Sequence, residues 1–136
     1  MKIATASTGY DMDSPVSTIL GTSTSFIIVD IKNGEIKEVS VIKNPRKLRF
    51  GGVKNHIFNS YAKNKSGSGS IAAQLMVDNE VNVLITGKLG PVAFHILKNA
   101  GIKVYKFVPG SVETNLKRFI GYKLEEVTSL SGGFPE

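Results

Sequence analysis

Glycine, serine and lysine at the mouths of short loops are the residues here with the types and spacing to do chemistry. Gly67-Ser68-Gly69-Ser70 precedes an apolar helical stretch, and Gly87-Lys88-Leu89-Gly90 follows an apolar strand. Val108–Ser111 follows another strand, and Thr8-Gly9 follows the first. Glycine lets a ligand approach the backbone closely. A helix start offers unpaired N–H groups and partial positive charge, which together attract anions. The same residues also serve simply to turn the chain, so the loops gain meaning only in combination.

Two motif matches fail on inspection. Gly67-Ser-Gly69-Ser-Ile-Ala72 fits a relaxed dinucleotide fingerprint, but no strand leads tightly into it and no acid follows at the required distance. Gly87-Lys88 resembles the end of a phosphate-binding loop, but Leu89 stands where Ser or Thr is needed. Acid–base machinery is sparse. Asp11 and Asp13 sit in one turn-rich loop, where Asp bonds its own backbone. Asp30 lies among apolar strand residues, and a metal-dependent hydrolase would need all three to converge. His56 and His95 are too far apart for a metal-ligand spacing.

Charge adds the second strand of evidence. The chain has 136 residues, 17 Lys+Arg and 11 Asp+Glu, for a net charge of +6. Seven of the bases fall between Lys43 and Gly67 with no acid among them: Lys43, Arg46, Lys47, Arg49, Lys54, Lys63 and Lys65. Ten bases face eleven acids elsewhere, a net of −1. The expectation is a near-neutral domain with one basic insert. The insert suits an anionic small ligand or cluster. Its Phe50, Phe58 and Tyr61 also suit nucleic acid through phosphate contacts and base stacking. A solvated charged face is the plain alternative.

The elements that must position these residues follow from periodicity. Lys2–Ser7, Phe26–Ile31 and Glu35–Ile42 read as strands, the last two joined by the hairpin signal Asn33-Gly34. Val53–Ala62 is a short helix candidate, and Ser66–Ser70 reads as a flexible loop. Ile71–Asn79, Val92–Ala100 and Val112–Ile120 read as helices, and Val81–Thr86 and Ile102–Phe107 as strands. Pro91 opens one helix, Gly101 closes it, and Ser111 caps the next. The order β-β-β-α-β-α-β-α predicts an α/β domain with a mixed five-stranded sheet and helices on its faces. Residues 1–124 are expected to form one domain with the basic insert at 43–67, and 125–136 a tail. No Cys is present, which excludes disulfides, thiolate chemistry and Cys-ligated clusters or zinc. No apolar run is long enough to cross a membrane and the N-terminus lacks a signal-peptide pattern, so a cytoplasmic protein is expected.

At this point the sequence resembles the dinitrogenase iron–molybdenum cofactor biosynthesis family of small cluster carriers. Met1–Thr8, Gly21 with Phe26–Ile31, Gly34–Val39 and Asn44-Pro45 carry the likeness, as do Gly69–Leu75 and Val81–Gly87. Leu89-Gly-Pro91, Ala93-Phe94, Leu97-Lys98, Ala100–Tyr105 and Gly110–Glu113 complete it. The resemblance implies a ribonuclease H-like fold. It also implies a non-enzymatic role: binding an anionic iron–sulfur or iron–molybdenum cofactor, or its precursor, for cluster assembly with partner proteins. The candidate binding residues are Thr8, Gly9, Gly21, Lys43, Arg46, Arg49, Gly67, Ser68, Gly69, Ser70, Gly87, Lys88 and Gly90. Many members have a His-Phe-Gly-like motif where this chain has Ile19-Leu20-Gly21, and a Gly-His-Gly-like loop where it has Lys65-Ser66-Gly67. Both imidazoles are absent. A carrier that has lost its ligands, or one that uses other contacts, fits both departures. No catalytic or metal-ligating residue is expected.

Overall fold

The computed structural model describes residues 1–45 and 67–130. Arg46, Arg49, most of the basic insert, His56, the Val53–Ala62 helix candidate and the last six residues lie outside them.

Three strands come first: β1 (Lys2–Ser7), β2 (Ser25–Lys32) and β3 (Glu35–Lys43). Asn33 and Gly34 both take positive φ, 55° and 78°, which is what a two-residue turn matching strand twist requires. Then come α1 (Gly67–Asp78), β4 (Val83–Thr86), α2 (Pro91–Asn99), β5 (Lys103–Lys106), α3 (Val112–Ile120) and β6 (Glu125–Glu126). The sheet runs β3-β2-β1-β4-β5-β6. β1, β4 and β5 are parallel, and β2, β3 and β6 are antiparallel to their neighbours.

The sheet therefore has six strands and not the expected five. Glu125 and Glu126 pair with Lys106 and Tyr105. Two glutamates carry no strand signal of their own. What holds them is tertiary: the Val127 N–H donates to the Val104 carbonyl at 2.7 Å and the Val127 side chain is buried. α1 also starts four residues before the expected Ile71, taking in the Gly-Ser-Gly-Ser run. Packing overrides that run's poor helix propensity. Gly69 lies against Ala93 of α2, where an added Cβ would sit 3.5 Å from the Ala93 methyl, and Ser70 is buried.

Each face of the sheet has its own core. On one face, Ala72, Ala73 and Met76 of α1 and Ala93 and Leu97 of α2 cover Ala4, Ala6, Phe26, Ile28, Leu84 and Val104. On the other, Val112 and Leu116 of α3 meet Ile3, Ile27, Val29, Val83 and Ile85. Alternation along each strand sends successive side chains to opposite cores. Because β1, β4 and β5 are parallel, α1, α2 and α3 all start at the end where those strands finish. The register Ser7↔Ser25 and Ser25↔Lys43 brings the last residue of β3 to that same end.

Candidate functional site

The loops singled out from the sequence converge at this end of the sheet. Residues 8–24 leave β1 and fold back over it. The Thr8 N–H donates to the Pro15 carbonyl at 3.0 Å, and the Ser17 N–H to the Ala6 carbonyl at 2.9 Å. The loop then straps the other two loops together. The Val16 N–H donates to the Gly110 carbonyl at 3.0 Å, the Leu20 N–H to the Lys88 carbonyl at 2.9 Å, and the Lys88 N–H to the Thr18 carbonyl at 2.8 Å.

The glycines divide by what surrounds them. A Cβ on Gly87 would fall 2.3 Å from the Thr18 carbonyl oxygen, and one on Gly9 would fall 2.2 Å from the Ser14 Oγ. At Gly87 the obstacle is the crossing backbone of Ser17 and Thr18, and at Gly9 it is the Ser14 side chain. The Ser25 hydroxyl also donates to the Gly9 carbonyl. Gly21 is buried in the 3₁₀ turn Leu20–Thr22. Gly90, in contrast, faces open space and is exposed.

The three helix starts differ in the same way. Ser14 and Met12 carbonyls take the N–H groups of Val112 and Glu113 at 2.9 Å each, and the Ser111 hydroxyl takes that of Thr114 at 3.1 Å. The first turn of α3 is therefore spent inside the protein. α2 begins at Gly90-Pro91 with no side-chain cap, and neither α1 nor α2 has an acid in its first turn. Those two starts lie side by side, with Gly69 against Ala93. Lys43 and Lys88 are exposed at this edge, the Lys43 ammonium standing 5.9 Å over the Tyr10 ring. Thr8 is exposed beside them.

Two positioning residues were not singled out from the sequence. Asn44 is fully buried and donates to the Gly21 and Ser23 carbonyls at 3.2 and 2.7 Å, tying the 3₁₀ turn to the end of β3. Asn115, also fully buried, accepts from the Val108 N–H at 2.8 Å and donates to the Val108 and Ser111 carbonyls. The signal was present for Asn115: a polar residue interrupting the apolar stripe Val112-Leu116 of its helix.

Among the described residues the carboxylates do not converge. The Asp11 carboxylate accepts from the Asp13 N–H and the Ser14 hydroxyl, closing its own turn. Asp30 pairs with Lys2 at the opposite end of β1, 3.4 Å from the N-terminal ammonium. His95 faces Asn99 one turn along the exposed face of α2. Among the described residues no three His, Asp or Glu side chains gather as a metal site. What remains is a glycine-rich edge with two helix starts and lysines, suited to an anion.

A family model described as dinitrogenase iron-molybdenum cofactor matches residues 1–122. The chain belongs to that family. An uncharacterized protein of Methanocaldococcus jannaschii, MJ0580, is 33% identical over 106 residues, spanning 78% of this chain and 77% of the relative. The solution structure of TM1290 from Thermotoga, placed in the DUF35 family, superposes with a TM-score of 0.70 at 31% identity, covering 96% of this chain and 97% of that one. The apo orange protein of Desulfovibrio gigas shares the fold, with a TM-score of 0.74 at 24% identity over 99% of this chain and 96% of that one. No helix among the described residues is long and apolar enough to cross a membrane.

Proposed function

We propose that the protein is a non-enzymatic carrier of an anionic iron–sulfur or iron–molybdenum cluster, or its precursor, in the cytoplasm. Family membership supports the cluster class, and the adjoining starts of α1 and α2 support the place. The cluster is cargo. It is held by backbone N–H groups at Gly67–Gly69 and at Gly90, Val92 and Ala93, with Lys43 and Lys88 neutralising its charge and Arg46 and Arg49 of the insert adding to it. With no Cys in the chain and no His where the family's motifs place one, hydrogen bonds and charge replace thiolate or imidazole ligation. Such contacts break without exchange of a metal ligand, which suits delivery to cluster-assembly partners.

Anaerobic incubation with an iron–sulfur or iron–molybdenum cluster, followed by desalting and visible absorption, tests this. The wild-type chain should retain colour, and the Lys43→Ala/Lys88→Ala double variant should bind about tenfold more weakly. Failure of the wild type to retain either cluster removes the cluster reading. Equal retention by the double variant removes the role of the lysines, and equal retention by an Arg46→Ala/Arg49→Ala variant removes that of the insert.

A further inference from the structure

Lys43 and Lys88 come to the anion edge from distant segments, the last residue of β3 and the turn after β4. A lysine stem is long and turns freely, so the place from which it starts decides what its ammonium can reach. The starting points of these two are joined by one stretch of chain, residues 18–24. At one end of that stretch the Lys88 N–H donates to the Thr18 carbonyl at 2.8 Å, and the Leu20 N–H to the Lys88 carbonyl at 2.9 Å. At the other end Asn44, the neighbour of Lys43, holds it. The Asn44 N–H donates to the Thr24 carbonyl at 3.1 Å, and its carboxamide nitrogen to the Gly21 and Ser23 carbonyls at 3.2 and 2.7 Å.

Between these ends the stretch closes on itself. The Ser23 N–H and hydroxyl both donate to the Leu20 carbonyl, at 3.2 and 2.8 Å, and the hydroxyl lies 3.2 Å from the Ile19 carbonyl as well. Leu20, Ser23 and Asn44 are all fully buried. Asn44 also marks where β3 stops, because Pro45 follows it with no N–H to carry the β2–β3 ladder further. The 8–24 loop reaches Lys43 a second time through the Tyr10 ring, 5.9 Å from its ammonium.

We propose that Asn44 is a positioning residue of the anion site. Through the 18–24 stretch it fixes the end of β3 relative to the 87–90 turn, so that Lys43 and Lys88 meet one cargo at a set spacing. Binding groups held in place from behind leave less to be ordered when the ligand arrives. The effect on cargo rests on the carrier reading; the geometry of the brace does not.

The chain has no native cysteine, so thiols introduced by Lys43→Cys and Lys88→Cys are the only labelling points for nitroxides. Pulsed electron resonance should give one narrow distribution of distances between the two labels. Adding Asn44→Ala should broaden it about twofold. Ser23→Ala, the milder change, should broaden it in the same sense. Val127→Ala, at a buried residue beside β6 on the other margin of the sheet, should leave it narrow. In unlabelled protein, Asn44→Ala should weaken cluster retention about threefold, as Lys43→Ala does, and should add nothing to Lys43→Ala. A distribution unchanged by both Asn44→Ala and Ser23→Ala, or broadened equally by Val127→Ala, overturns the proposal. So does a further loss of retention when Asn44→Ala is added to Lys43→Ala. A wild type that retains no cluster removes the carrier reading instead, and the label distances then decide the brace by themselves.

Discussion

Gly87→Ala drives a methyl group into the Thr18 carbonyl, 2.3 Å from its oxygen, and neither backbone has room to give. Overpacking of this kind costs about 1–3 kcal/mol, so urea denaturation should show a clear loss of stability. Gly90→Ala meets nothing within 4 Å and has an ordinary φ of −87°. Its stability should stay within about 0.5 kcal/mol of wild type by the same measurement. Asn44→Ala strands the buried Gly21 and Ser23 carbonyls and should cost about 1–3 kcal/mol. The sequence shows that glycines cluster at Gly87–Gly90. It does not show which one packs and which one is open, because the answer lies with Ser17 and Thr18, some seventy residues away in the chain. Asn44 is hidden for the same reason: its partners belong to the turn before β2.

Elements defined by their own local signals were legible. The Asn33-Gly34 hairpin, the Pro91 start and the Gly101 end of α2, and the Ser111 cap of α3 all stand where local sequence placed them. Ser111→Ala should therefore cost about 1 kcal/mol in thermal unfolding, the usual loss for a helix cap. Elements made by distant packing were not legible. The first turn of α1 forms because Gly69 fits against Ala93, and β6 forms because Val127 closes over the β5 side of the core. Val127→Ala should thus destabilise the protein by about 1–3 kcal/mol in urea, although the residue follows a strand of only two residues.

At the scale of the molecule, the parallel core strands gather three loop mouths, two helix starts with no acid in their first turns and the end of β3 at one edge. Sequence order alone predicted that convergence, because ligands of open α/β sheets lie beyond the carboxyl ends of the strands. Sequence did not reveal that α3's start is consumed by the 8–24 loop, a bond pattern between segments about a hundred residues apart. In the proposed reading this edge attracts a charged cargo and does not ligate it. Binding by exposed lysines and helix starts must weaken as counterions screen them, with a screening length of about 10 Å at 0.1 M salt falling to about 3 Å at 1 M. The decisive measurement is anaerobic cluster uptake, followed by visible absorption across a salt series. Retention by the wild type that falls steeply with salt, and that is about tenfold weaker in Lys43→Ala/Lys88→Ala, is the predicted result. No retention, or retention that neither salt nor the two substitutions alter, would contradict an electrostatic carrier.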